Sequence, residues 1–434
     1  MQERAFEAQA HSHIRHVIIV VQENRSFDNL FHGFPGADTV NYGYAHDGTR
    51  VKLRPIPLTV NYDLSNGFQD FQKAYDHGKM DGFDLRATVP RNESTVPLAF
   101  AQYPEYGYVP HSESAPYFSM AKQYVLADRM FQSNIDQSFA AHLYLIAGQA
   151  GRSANVPNGY PWGCDASAGT TVPTLSNQRR IRKRVFPCFD FPTLADELNA
   201  KGLSWRYYAP QVRSAAVWRQ FRALRKQGKS APQKPDFGGN WSSFDAIAHE
   251  RFGPTWTTNE ISPETRFLTD VRAGKLANVT WVVPDWRNSD HSDSQSDTGP
   301  SWVASIVNAV GESRFWHDSA ILITWDDSGG WYDHVPPPQI DFDGLGVRVP
   351  LIVVSPYAKR GAVVHTQYEF GSLLRFTEGV FGLRPLSVSD RRANNLIECF
   401  DFNQEGRPFT RISAPYGAGY FLVHPSSYVP PDNY

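Results

Sequence analysis

The first pattern to stand out along the chain is a run of five apolar residues, Val17 to Val21, entered from His16 and left abruptly through Gln22, Glu23, Asn24, Arg25, Ser26 and Asp28. Similar runs, β-branched or apolar and bounded by polar or turn residues, recur at 203–208, 278–283, 320–325 and 349–354. Several are nearly continuously apolar, as strands covered on both faces are. Between them apolar residues take helical spacing: over 115–127 with Phe118, Ala121, Tyr124 and Val125, and over 301–313 with Trp302, Ser305, Ile306, Ala309 and Val310. A third helix is predicted over 193–201, with Pro192 before it, Glu197 in its first turns and Gly202 as its stop. Strands alternating with helices predict an α/β fold, a mostly parallel sheet with helices on both faces.

Three stretches, 32–112, 150–190 and 211–262, fit neither template and are rich in Gly, Pro, Asn, Ser and aromatics. Such lengths inside a domain indicate functional loops, caps or insertions. Three of the five strands end in polar clusters: Glu23-Asn24, Asp285 to Asp293, and Asp326-Asp327. Strand C-termini are where open α/β sheets bind ligands.

Composition narrows the partners more than the fold. With 434 residues, 41% hydrophobic and 20% charged, the chain can bury a sizeable core. A net charge of −2 gives no general attraction to nucleic acid, and the basic run 177–186 reads as a solvated loop. No apolar run approaches the roughly 18 residues of a membrane span, and residues 1–16 contain no apolar signal core. Cys164, Cys188 and Cys399 fit no zinc spacing. Cys164 and Cys188 bracket one loop region and could be joined, which only their separation in space decides.

The strongest chemical signal is 321–338, where a strand runs into Asp326 and Asp327, then Gly329, Gly330, Asp333 and His334. Adjacent carboxylates repel, so they persist when solvated or when a cation lies between them. The two glycines permit a sharp turn and close approach to a ligand. With Glu23 and Asn24, two strand ends supply four oxygen ligands suited to a hard divalent cation. A second cluster holds His291 among Asp290, Asp293 and Asp297, as an exposed loop or as a functional imidazole. In a third, Ser138 precedes an apolar helical run; it reads as an N-cap, or as a nucleophile in the field of a helix N-terminus.

In this order, "QENRSFDNLF", "ADRMFQSN" before Ser138, "SDH" followed by "SWV", and "DDSGGWYDHVPPP" resemble the bacterial phosphoesterases that include non-specific phospholipases C and an acid-phosphatase branch. That family is similar in fold to the alkaline phosphatase superfamily, which implies a three-layer α/β/α sandwich with a metal site at the strand ends. The resemblance assigns Glu23, Asn24, Asp326 and Asp327 as metal ligands, Ser138 as nucleophile and His291 as the phosphate-contacting histidine. Asn66 stands where relatives often carry a His. His249 and His334 are expected on the substrate side with Asn66, and His142 and His111 are further candidates for a phosphate-side imidazole, although a histidine on a helix, as His142 is, is more often structural.

The expected activity is metal-dependent hydrolysis of phosphate esters through a phosphoserine, of phospholipase C or acid phosphatase type, with one divalent ion among Ca²⁺, Mg²⁺, Mn²⁺ and Zn²⁺. The catalytic domain is expected over 14–400, with insertions around 32–112, 150–190 and 211–262, followed by an extension over 401–434. Expected partners are a phosphate ester or phospholipid and, through the aromatic loops, transient contact with a lipid surface; nucleic acid and a transmembrane segment are not expected. Relatives are typically exported, and a start just before the first strand is what signal removal would leave, so a periplasmic or secreted location is expected. Two alternatives stand: a catalytically silent, cation-stabilised binding protein, or another hydrolase of the superfamily. A sulfatase would need Arg where this chain has His142.

Overall fold

The computed structural model describes residues 2–90, 102–159, 161–213, 237–342, 344–427 and 429. Parts of two expected insertions, 91–101 and 214–236, and the end of the expected C-terminal extension lie outside the described residues. The site is organised by an eight-stranded sheet. In chain order its strands are β1 (His16–Gln22), β2 (Val125–Ala127), β3 (Trp205–Tyr208), β4 (Glu260–Ile261), β5 (Val279–Val282), β6 (Ser319–Trp325), β7 (Leu351–Val354) and β8 (Ala362–Val364). Their order across the sheet is β4-β3-β5-β1-β6-β7-β2-β8, and only β7 runs against the rest.

All five apolar runs are strands, and they are neighbours: β3, β5, β1, β6 and β7. Every residue of β5, β6 and β7 is buried, as is β1 after His16, which explains their unbroken apolar character. The β1–β6 register runs from His16 opposite Ser319 to Gln22 opposite Trp325. Glu23-Asn24 and Asp326-Asp327 therefore leave the sheet side by side.

The helices fall into two sets. Helices α1 (Gln2–His13), α2 (Ser138–Ala147), α3 (Leu194–Ala200) and α4 (Phe370–Phe381) pack with one another; so do α5 (Ala115–Gln123), α6 (Arg266–Arg272), α7 (Gly299–Gly311) and α8 (Ala418–Val423). Two helical layers about a mostly parallel sheet make the α/β sandwich that the alternation predicts. Helix α3 opens with a capping box between Thr193 and Asp196, one residue before the Glu197 noted in the sequence.

One helical pattern is cut short. The periodicity over 115–127 carries past the end of α5 at Gln123, and Val125–Ala127 form β2 instead. All three residues are buried and pair with β7 on one side and β8 on the other, so ladder bonds on two edges outweigh another helical turn. The basic run is solvated as expected but is not a plain loop: Ile181–Val185 form one arm of a hairpin with Val172–Leu175, and Ile181 to Arg184 are exposed. Cys164 and Cys188 are bonded, with Cα atoms 4.6 Å apart. Cys399 is buried, and burial pushes its thiol up to about 12. Among the described residues no helix is long and apolar enough to cross a membrane.

Candidate active site

Three adjacent strands, β5, β1 and β6, deliver the site's polar residues at their C-terminal ends. The backbone N–H of Glu23 donates to Ser289 O (2.8 Å), and that of Asp326 to Gln22 O (2.9 Å), so the three segments stay linked after the sheet ends. Asn24 takes φ 60°, and its N–H donates to Asp326 Oδ1 at 3.0 Å. This turn needs Gly329, which has φ 57° and packs so close that a Cβ there would lie 2.4 Å from Asn24 O. The turn expected from "DDSGG" is thus where the two acidic segments lock together.

Asn24 Nδ2 lies 2.9 Å from His291 Nε2. An amide nitrogen only donates, so Nε2 accepts and the ring proton is on Nδ1, which faces Asp293 Oδ1 at 2.8 Å. The same bond turns Asn24 Oδ1 to the other side of the amide. His291 is fully buried, and its contacts place it behind Asn24 as an orienting group. Its loop is braced by Asp290, which accepts from Tyr117 Oη (2.6 Å) and Trp325 Nε1 (3.1 Å) and which burial pushes up to about 6.

Ser138 is the first residue of α2, and the cap position belongs to Gln137. Its hydroxyl does not cap the helix: Oγ donates to Asp327 Oδ2 at 3.0 Å. The other carboxylate oxygen of Asp327 accepts from Asn66 Nδ2 (3.0 Å) and from Gly329 N (2.6 Å). Asn66 Oδ1 in turn accepts from Gln137 Nε2 at 2.6 Å, which fixes its amide orientation. Asn66 therefore holds Asp327, and through it Ser138. Beside them opens a pocket of about 610 Å³, lined by Asn66, Gln137, Asp70 and Arg184 together with the apolar Leu64, Val156 and Trp162.

His142, a candidate phosphate-side imidazole from the sequence, is one turn beyond Ser138 on α2 and so on the same helix face. Its Nε2 lies 3.5 Å from Glu23 Oε1 and 3.7 Å from Asp326 Oδ2, and these three buried groups form a cluster able to hold a metal ion. The available signal was the spacing of four from Ser138; what α2 faces was not legible.

Two expected substrate-side histidines go elsewhere. His249, in the short helix Ala248–Arg251, pairs with Asp190 (2.5 Å) and Asp196 (3.1 Å). His334 is drawn to Asp28 (2.7 Å) and Asp38 (3.1 Å), in a network where Arg348 binds Asp333 (2.8 Å) and Asp28 (3.4 Å). Ion pairing with partners distant in sequence decided both positions. His111 is also outside the cluster, bonded to His32 O at 2.8 Å.

The strand ends of a mostly parallel sheet thus gather buried carboxylates beside a serine at a helix N-terminus. The family model described as the Phosphoesterase family matches residues 14–384, and this chain belongs to that family. It is 26% identical over 461 residues to a non-hemolytic phospholipase C of Pseudomonas aeruginosa, covering 92% of this chain and 59% of that protein. It is 24% identical to a hemolytic phospholipase C of the same organism, covering 91% of this chain and 56% of that protein. The chain thus spans less than two thirds of the length of these relatives. A solved protein of the alkaline phosphatase superfamily from Vibrio parahaemolyticus aligns with 88% of this chain and 76% of its own, at 8% identity and a TM-score of 0.34. A score that low adds nothing to the fold assignment, which rests on the sheet itself.

Proposed function

We propose that this chain is a cation-dependent phosphoric ester hydrolase working through a phosphoserine at Ser138. The observation that carries the reading is the bond from Ser138 Oγ to Asp327 Oδ2, formed at a helix N-terminus beside the buried Glu23 and Asp326. The donor set fits a divalent ion: carboxylates gathered from adjacent strand ends without solvent repel each other strongly unless a cation offsets their charge. Glu23, Asn24, Asp326 and Asp327 would hold that ion. When bound, it would lower the pKa of the serine hydroxyl and neutralise charge on the phosphoryl oxygens.

The residues then divide the work. Asp327 accepts the proton from Ser138 Oγ as the oxygen attacks phosphorus; the bond from phosphorus to the ester oxygen breaks, and that oxygen takes a proton from solvent water and leaves as the alcohol. Asn66 and Gly329 N–H keep the Asp327 carboxylate aimed at the serine. His291 keeps Asn24 turned with its carbonyl away from the ring. The N-terminus of α2 faces the phosphoryl group with N–H groups and a favourable field. A water oxygen then attacks phosphorus and gives up a proton to solvent, the bond from phosphorus to Ser138 Oγ breaks, and Oγ takes back the proton held by Asp327.

The named relatives are phospholipases C, which favours phosphodiesters; the pocket beside Asn66 combines polar and apolar walls, which suits an ester with an apolar part. An oxidised Cys164–Cys188 pair supports an exported location, where disulfides persist. The test is to assay p-nitrophenyl phosphate and phosphatidylcholine side by side with each divalent cation. Turnover of neither, with any cation, would favour the silent binding protein. Rapid phosphomonoester turnover with negligible release of diacylglycerol would remove the phospholipase reading.

A further inference from the structure

We propose that His142 supplies a nitrogen ligand to the cation, and that this biases the site toward Zn²⁺ over Ca²⁺ and Mg²⁺. The inference rests on the reading that the strand ends hold a divalent ion, and it adds to the four oxygen donors a residue from a different element.

The argument is one of distances. If His142 were simply an imidazolium paired with Glu23 and Asp326, its Nε2–H would close to hydrogen-bonding distance, about 2.7–3.2 Å. Instead Nε2 stands 3.5 Å from one carboxylate oxygen and 3.7 Å from the other. Ligand atoms bonded at about 2.0–2.1 Å to a five-coordinate ion lie roughly 2.9–3.6 Å apart, so the spacing is close to that of neighbouring ligands. All three side chains are buried.

The ring is also held for this task. His142 sits on α2, whose first residue is Ser138, so nucleophile and ligand share one helix face and move together. Trp241 meets the imidazole edge to face, with centroids 4.3 Å apart at 84°, and restricts its rotation. Trp162, 6.0 Å from Trp241, and Phe139 extend this apolar wall. Imidazole nitrogen is a borderline donor that suits Zn²⁺, whereas Ca²⁺ and Mg²⁺ take oxygen.

The experiment uses the full chain stripped of metal by chelation, with each chloride salt titrated by calorimetry and Mn²⁺ as a spectroscopic probe. Zn²⁺ is expected to bind at least about 100-fold more tightly than Ca²⁺. His142→Ala is expected to weaken Zn²⁺ binding by at least about 10–100-fold, the range lost when even an indirect ligand support is removed, and to change Ca²⁺ binding little. Electron spin-echo modulation of the Mn²⁺-loaded wild type should show nitrogen coupling that His142→Ala abolishes. Bound Mn²⁺ without nitrogen coupling in the wild type overturns the proposal even if the variant does not fold, and so does coupling that survives in His142→Ala. Equal affinity for Zn²⁺ and Ca²⁺ overturns the selectivity. A wild type that binds no cation at all overturns the underlying reading, a distinct outcome because the calorimeter then registers nothing for any salt.

Discussion

Ser138 Oγ meets Asp327 Oδ2 at 3.0 Å across a separation of 189 residues, joining the start of a helix to the end of the strand β6. A hydroxyl on the first residue of its helix is bound to a carboxylate whose other oxygen is already held by Asn66 and Gly329. Ser138→Ala is therefore expected to lower kcat by at least about 10³-fold, in line with the loss of a nucleophile elsewhere, with an unchanged circular dichroism spectrum and intact cation binding. A variant that keeps a near-normal rate would place the nucleophile at another residue.

Asn66 acts through Asp327. Asn66→Ala removes its bond to Asp327 and leaves Gln137 without its acceptor. Turnover should fall by about 10–100-fold, as when other supports of a reacting group are removed, with kcat affected more than KM. Equal loss in both constants, or a change in KM alone, would assign Asn66 to substrate binding instead.

Gly329 is required by conformation and by space, with φ 57° and Asn24 O at 2.4 Å from any Cβ. Gly329→Ala should cost about 1–3 kcal/mol of strain and also displace Asn24. The expected result is a lower denaturation midpoint together with weakened cation binding. Wild-type values of both would show that the turn opens without cost.

Glu378, on α4, has its pKa pushed up to about 9 by burial and by the neighbouring Asp390 carboxyl. An unfolded chain loses that proton near 4.5 and the folded one only near 9, so between these values the native state binds the extra proton and stability falls as pH rises. Glu378→Gln removes this titration. Its unfolding free energy should drop less than that of the wild type between about pH 5 and pH 8, and at the upper value the variant should be more stable by about 1–3 kcal/mol, the scale of a buried polar group's desolvation. Parallel stability profiles for the two proteins would show that Glu378 titrates as an ordinary carboxylate.

The Cys164–Cys188 bond closes a loop with a sequence separation of 24. Replacing both residues by Ser should lower stability by about 2–4 kcal/mol, and a reductant should produce the same shift in the wild type. Thermal melts with and without dithiothreitol check this; identical curves would mean that the bond does not constrain the unfolded chain.

The inner sheet was legible in the amino-acid sequence: β5, β1, β6 and β7 are buried on both faces and so nearly continuously apolar, and β3 shows as a short aromatic run interrupted by the half-buried Arg206. The sequence by itself also exposed Glu23-Asn24 and Asp326-Asp327, since polar residues directly after a buried strand are conspicuous, and it placed Ser138 through local pattern and resemblance. Tertiary structure decided the rest. Short segments such as Val125–Ala127 are strands only because two neighbouring strands offer them hydrogen bonds. His249 and His334 were claimed by Asp190, Asp196, Asp28 and Asp38, through attractions that depend on distance in space. His142 looked like one more residue of an apolar helix until that helix came to rest against Glu23 and Asp326. A burial pattern is written in consecutive residues, but the convergence of charges and ligands depends on which elements the sheet order brings together, and no local stretch encodes that order.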